Sequence, residues 1–286
     1  MIYHASRLRH LVSLASAAVV LATNAAGAQA PRAAAFPVFP RVLADPQEPQ
    51  FFASYLFSNS SQLSSRLGTV GFGQIISLAK GSNWQVSIAP AALSQFDMHS
   101  YTNDLINTDY LLGLLFAYRR DAWSSRFRVL HQSSHLGDGY IVHDLGLSTS
   151  VGRLSFEAAE ILAARDFGPW RVYGGGEYIF RHIPALLRPG VAHAGFDYRG
   201  EKALVRLGRV GTGRFVAGLD GRSIQDQGWA LGWNLVAGLE LQNPAALPGT
   251  GWRWSLLLNA HTGVSSYGLF FRDRLSSLGV GIAFAP

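Results

Sequence analysis

The stretch Asp109–Tyr118, DYLLGLLFAY, puts Tyr110, Leu112, Leu114, Phe116 and Tyr118 at alternate positions. Successive residues of a β-strand point to opposite faces, so these side chains form one apolar wall with an aromatic ring at each end. The rhythm recurs along the chain. Trp170, Val172, Tyr178 and Phe180 oppose Arg171 and Glu177. Leu231, Trp233, Leu235, Leu239 and Leu241 oppose Asn234 and Glu240, and Trp252, Trp254, Leu256 and Leu258 oppose Arg253, Ser255 and Asn259.

From Phe51 onward such runs are separated by Gly, Asn, Asp and Pro clusters, which predicts an all-β body. The runs reach about ten residues or more, the length a tilted membrane strand needs. Trp and Tyr mark the ends of several apolar faces, where a membrane interface holds them. Connections alternate in length. AKGSN, YRRDAW, SVGR and RVGTGR are short, whereas NSSQLSSRL, DMHSYTNDL, HQSSHLGDG and AHTGVSSYGLFFRD are longer. Outer-membrane barrels have short periplasmic turns and longer extracellular loops. The expected fold is an antiparallel transmembrane β-barrel of about 12–14 strands, an even number, with both termini in the periplasm. Two segments strain the pattern. Glu157 and Glu160 in SFEAAEIL cannot both face inward without a bulge or a helical turn, and RHIPALLRPG is long for a periplasmic turn.

Composition agrees with that class. Among 286 residues there are 31 Gly, 12% aromatics and only 15% charged residues, against roughly 25% charged in an ordinary globular domain. No mature stretch offers the 18 or so uninterrupted apolar residues of a membrane helix. There is no Cys, which excludes a thiol nucleophile and a Cys-based zinc site. The net charge of +6 is spread over single Arg residues with no basic stripe, so no nucleic-acid partner is expected.

Residues 1–28 read as a signal peptide. Arg7 and Arg9 supply the charged start, Leu11 to Leu21 the apolar region, and Ala26-Gly27-Ala28 the cleavage site; Ala28-Gln29-Ala30 also fits but is followed by Pro31. Residues 29–50 are Pro-rich and are expected to form an extended periplasmic lead-in, leaving 51–286 as the barrel.

The densest polar stretch is LHQSSHLGDGY, residues 130–140. As a strand, it puts Phe127, Val129, His131, Ser133 and His135 on one face and Arg126, Arg128, Leu130, Gln132 and Ser134 on the other. Phe127 and Val129 suggest that the first face meets lipid. His131 and Ser133 then project side by side near the membrane surface, where an imidazole can activate a hydroxyl for attack on an acyl ester. A third group must orient the imidazole; Asp138, His143 and Asp144 are the candidates in the loop. The competing reading is a polar strand end with no chemistry. Gln132, Ser134, His135, Gly137 and Tyr140 complete the motif. Two His four residues apart on a strand are about 13 Å apart, too far to share one metal, and no cofactor is expected. YGGGEY, residues 173–178, lies within a strand and is not a phosphate loop. Arg126, Arg128, Arg171, Glu177, Arg206, Glu240 and Arg253 read as lumen-facing charges that either pair across the barrel or line a pore.

The segments LADPQEPQFFASYLF, TNDLINTDYLLGL, RFRVLHQSSHLGDGY, RVYGGGEYIFRH and FFRDRLSSLGVGIAF together resemble an uncharacterised bacterial family catalogued as domain of unknown function 1207. The resemblance runs from Leu43 to Phe284 and implies an outer-membrane barrel of no established activity. Gly139 stands where that family usually has an acid. His131-Gln132-Ser133 also resembles the His-Gln-Ser of outer-membrane phospholipase A, which implies a His–Ser pair on the barrel exterior oriented by an Asn. No such Asn occurs at 141–148, IVHDLGLS, taken as the next strand. The leading expectation is therefore a non-enzymatic outer-membrane barrel, structural, adhesive or a small-solute channel. The rivals are an acyl hydrolase using His131, Ser133 and Asp138, and a secreted soluble β-protein. The expected partners are outer-membrane lipid and, during biogenesis, the barrel-assembly machinery and periplasmic chaperones.

Overall fold

The computed structural model describes residues 38–143, 154–183, 187–208, 211–242 and 253–285. The predicted signal peptide, the start of the lead-in and Asp144 lie outside them. The strands are β1 (Phe51–Ser60), β2 (Arg66–Gly73), β3 (Ile76–Lys80), β4 (Trp84–Asp97), β5 (Leu105–Arg120), β6 (Trp123–Leu136) and β7 (Leu154–Phe167). After them come β8 (Trp170–Ile183), β9 (Gly190–Arg206), β10 (Thr212–Ile224), β11 (Ala230–Gln242), β12 (Arg253–Val264) and β13 (Arg274–Ala285). Except for β2 and β3, which do not pair with each other, each strand pairs antiparallel with its sequence neighbours; β13 returns to β1, and β2 pairs with β4, which closes the sheet.

β2 and β3 are two halves of one stave. Gly73 faces Ala91 and Ile76 faces Ile88, so the register against β4 is unchanged across the gap. The residue opposite the gap is Pro90, which has no N–H for the ladder, and Gln74 donates its own N–H to the Pro90 carbonyl at 3.2 Å. The closed barrel therefore has twelve staves, within the expected range.

The alternation seen in the sequence is the alternation of the wall. Tyr110, Leu112, Leu114 and Phe116 are exposed on the outside of β5, while Leu111, Leu115 and Ala117 are buried inside. Trp170, Val172, Tyr178 and Phe180 face out, as do Leu231, Trp233 and Leu235, and Trp254, Leu256 and Leu258. Glu157 and Glu160 resolve without conflict, because they take opposite faces: Glu160 is buried inside and Glu157 sits on the outer face. Arg206 departs from expectation; it is exposed near the end of β9.

At the end of the barrel where β1 begins and β13 finishes, β3–β4, β5–β6 and β7–β8 are joined by residues 81–83, 121–122 and 168–169. The far end carries the connections 61–65, 98–104, 225–229 and 265–273 and the described parts of two more, 137–143 and 187–189. RHIPALLRPG belongs to this far end, which removes its apparent excess length. SVGR lies outside the described residues. Leu63, Tyr140, Phe270 and Leu275 pack into one apolar cluster from three of the far-end connections and β13. Tyr140 meets Phe270 edge-on at 5.5 Å and donates its hydroxyl to the Gln62 carbonyl at 3.1 Å.

The described part of the lead-in, residues 38–50, packs against lumen-facing side chains. Val38, Phe39, Val42, Leu43, Ala44, Asp45 and Glu48 are buried. Arg119 donates to the Val38 carbonyl at 2.9 Å and Arg171 to the Arg41 carbonyl at 3.1 Å. Asp197 accepts the Leu43 N–H at 3.0 Å, Asp45 lies 3.6 Å from Arg222, and Glu48 pairs with Arg126. The physical reason is mutual need. A Pro-rich extended segment leaves its carbonyls free, and inward-pointing guanidinium groups need acceptors where water is scarce. Of the charges read from the sequence as plugging or lining the barrel, Arg126 and Arg171 bind this segment, while Arg126, Arg128, Arg171, Glu177 and Glu240 pair with the lumen charges Glu160, Asp197, Arg222 and Arg214. Beside it remains a cavity lined by Phe52, Leu93, Asn234, Asn259 and His261.

Candidate functional site

β6 carries the site. Its residues alternate between Arg126, Arg128, Leu130, Gln132 and Ser134, all buried in the lumen, and Phe127, Val129, His131 and His135, exposed outside with Ser133 half-buried between the last two. The ladder fixes the neighbours. On the β5 side, His131, Ser133 and His135 face Leu112, Tyr110 and Thr108. On the β7 side, His131 faces Glu157 and Ser133 faces Ser155.

Two polar contacts form on this outer face. The Ser133 hydroxyl lies 2.9 Å from Nε2 of His135, and Nδ1 of His131 lies 3.2 Å from the Glu157 carboxylate. The serine is thus hydrogen-bonded to the second histidine of the motif and not to His131, the one expected. Both histidines share its face and flank it by two residues. The His135 ring meets Tyr110 edge-on at 5.8 Å. Glu157 is also approached by Arg181 of β8, at 3.8 Å.

Glu157 was not anticipated in this role. Asp138 instead opens the short helix α1 (Asp138–His143) and is exposed. α1 occupies part of what was read as the next strand, so the strand that truly follows β6 starts at Leu154. The side chain of His143 and all of Asp144 lie outside the described residues. A carboxylate facing a histidine across a ladder leaves no spacing signal in the sequence; only the correct register finds it.

The remaining motif residues have structural work. Ser134 faces the lumen, where Gln132 donates to it at 3.4 Å. A Cβ on Gly137 would stand 1.9 Å from the Leu105 carbonyl oxygen, so β5 and the strand end approach too closely for any side chain. Tyr140 belongs to the apolar cluster at the far end. Among the described residues, no group of three His, Asp or Glu side chains is placed to hold a metal ion.

A family model, "Protein of unknown function (DUF1207)", matches residues 10–285. No curated protein matches the chain. Among solved structures, the chain resembles outer membrane phospholipase A from Escherichia coli, with 13% identity and a TM-score of 0.56, over 85% of this chain and 91% of that one. It likewise resembles the calcium-bound outer membrane phospholipase dimer of Salmonella typhi, with 13% identity and a TM-score of 0.55, over 83% and 91% of the two chains. At such identity the likeness is one of fold, and that fold is the outer-membrane β-barrel type.

Proposed function

Starting from the premise that this chain belongs to the family of proteins of unknown function DUF1207, we propose that it is an outer-membrane ester hydrolase acting on the acyl chains of membrane lipid. Ser133 is its nucleophile. The observation that carries this reading is the outward-facing group Ser133, His135, His131 and Glu157, with contacts of 2.9 and 3.2 Å, on a wall whose exposed side chains are otherwise mostly apolar. An ester at the lipid surface is the electrophile such a group meets.

The working relay is Ser133–His131–Glu157. Glu157 accepts the Nδ1 proton of His131 and fixes the tautomer that leaves Nε2 free as a base. A rotation of Ser133 about χ1 carries its hydroxyl from His135 to His131. The serine oxygen then bonds to the acyl carbonyl carbon while its proton passes to Nε2. The imidazolium returns that proton to the departing alkoxide, and water repeats the sequence to free the fatty acid and regenerate Ser133. Glu157 faces His131 on the neighbouring strand, where the phospholipase resemblance calls for Asn. The filled lumen argues against the small-solute channel.

The protein in detergent micelles is expected to react with a fluorophosphonate probe and to hydrolyse p-nitrophenyl butyrate. Ser133→Ala should abolish both, and His131→Ala should lower the rate by about 10²–10⁴-fold, the range for loss of a general base. His135→Ala should cost less than about tenfold, since Glu157 faces His131 across the ladder and not His135. Undiminished turnover in Ser133→Ala would falsify the reading.

A further inference from the structure

β8 alternates normally up to Tyr178 outside, Ile179 inside and Phe180 outside. Continued alternation would send Arg181 into the lumen. A bulge intervenes. Ala158 of β7 faces Ile179, but the next β7 residue, Glu157, faces Arg181, so Phe180 is the extra residue. The consequence is that Phe180 and Arg181 both face outward, and the Arg181 side chain is 80% exposed. Bulges beside functional sites are devices that re-aim a side chain.

The re-aimed group is a cation on a lipid-facing wall. Arg on such a wall costs roughly 2–4 kcal/mol at the bilayer midplane but only about 0–1 near the interface, so its place is the level of the lipid head groups. Its contact with Glu157 is long at 3.8 Å and largely exposed, and such a pair contributes little. Most of the donor fork of its guanidinium is left for another acceptor, and that fork matches phosphate oxygens. Ser133 lies two strands away and two residues further along, about 12 Å from Arg181, within the combined reach of an Arg side chain and a lipid head.

We propose that Arg181 is a phosphate subsite, turned outward by the β8 bulge, that makes phosphate-bearing acylated lipids the preferred substrates. This rests on the hydrolase reading above. In mixed micelles, phosphatidylglycerol should be hydrolysed with a kcat/KM about tenfold or more above that of diacylglycerol with the same chains, the factor one charge-assisted contact supplies. Arg181→Gln should reduce that preference to about twofold or less, mainly through KM, and Arg181→Lys should restore part of it. Lipid A tested beside phosphatidylglycerol identifies which lipid supplies the phosphate, and loss of preference for either supports the subsite. A preference that survives Arg181→Gln overturns it. Retention of the same lipids by the Ser133→Ala protein in native mass spectrometry is independent of turnover. If wild type hydrolyses nothing, the hydrolase reading alone falls; equal lipid retention with and without Arg181→Gln overturns the subsite itself.

Discussion

Arg126 lies between carboxylates from two parts of the chain. Glu48 of the lead-in pairs with one side of its guanidinium, and Glu160 of β7 accepts from the other at 2.9 Å, all three nearly inaccessible to solvent. Glu160 also accepts from Arg128 at 2.7 Å. Removing one partner of such a group leaves uncompensated charge in a site with little water. Arg126→Ala is therefore expected to destabilise the barrel by about 3–5 kcal/mol, read as a lower temperature for loss of the compact band on semi-native gels. Replacing Glu160 by Gln, which keeps the shape and one acceptor, should cost less. At Gly137 the constraint is steric. A methyl group there would meet the Leu105 carbonyl oxygen at 1.9 Å, so Gly137→Ala must push the β5 and β6 ends apart. It should destabilise by about 1–3 kcal/mol, with faster amide exchange at residue 137, whose N–H donates to the Ile106 carbonyl at 2.9 Å.

At the scale of elements, the far-end cluster makes its own prediction. Tyr140 on α1 packs on Phe270 and holds the Gln62 carbonyl. Tyr140→Ala should cost about 3–5 kcal/mol if the site does not collapse, and hydrogen exchange should quicken in 61–65 and 268–271 and leave β8 to β10 unchanged. The elements also show how far a sequence can be read. β5, β8, β11 and β12 were legible because a wall with one apolar face repeats its signal at every second residue. The outward placement of His131, Ser133 and His135 was legible for the same reason, since Phe127 and Val129 fix the face of β6. The acid opposite His131 was not, because that requires knowing which residue begins the next strand. A helix and the further connection separate β6 from Leu154, and neither has a period that counts residues across the gap. The β8 bulge was hidden too, since one extra residue leaves composition unchanged. The partners of the lead-in were not legible, because a Pro-rich segment bound inside a barrel and one outside it have the same composition; the difference lies in partners such as Asp197 and Arg222, more than a hundred residues away.

Across the whole molecule, the segment 38–50 meets inward-facing groups of β5, β6, β8, β9 and β10. An obstruction tied to so many staves predicts negligible single-channel conductance in planar bilayers. Deleting residues 38–48 should raise it to a measurable level, and equal conductance in both proteins would show that the ions pass elsewhere. The same arrangement dictates an order of events. Residue 50 leads directly into β1, and β1 meets β13 along the line where the first and last staves join. The thirteen residues before that line are encircled by it, like a rod inside a hoop whose clasp is closed last. They are expected to lie in place before the clasp shuts, since Asp45 and Glu48 are held by Arg222 and Arg126 within the closed wall. A protease cut engineered just before Phe51 in the finished protein is accordingly expected to leave the severed peptide inside, co-purifying with the barrel until it is unfolded.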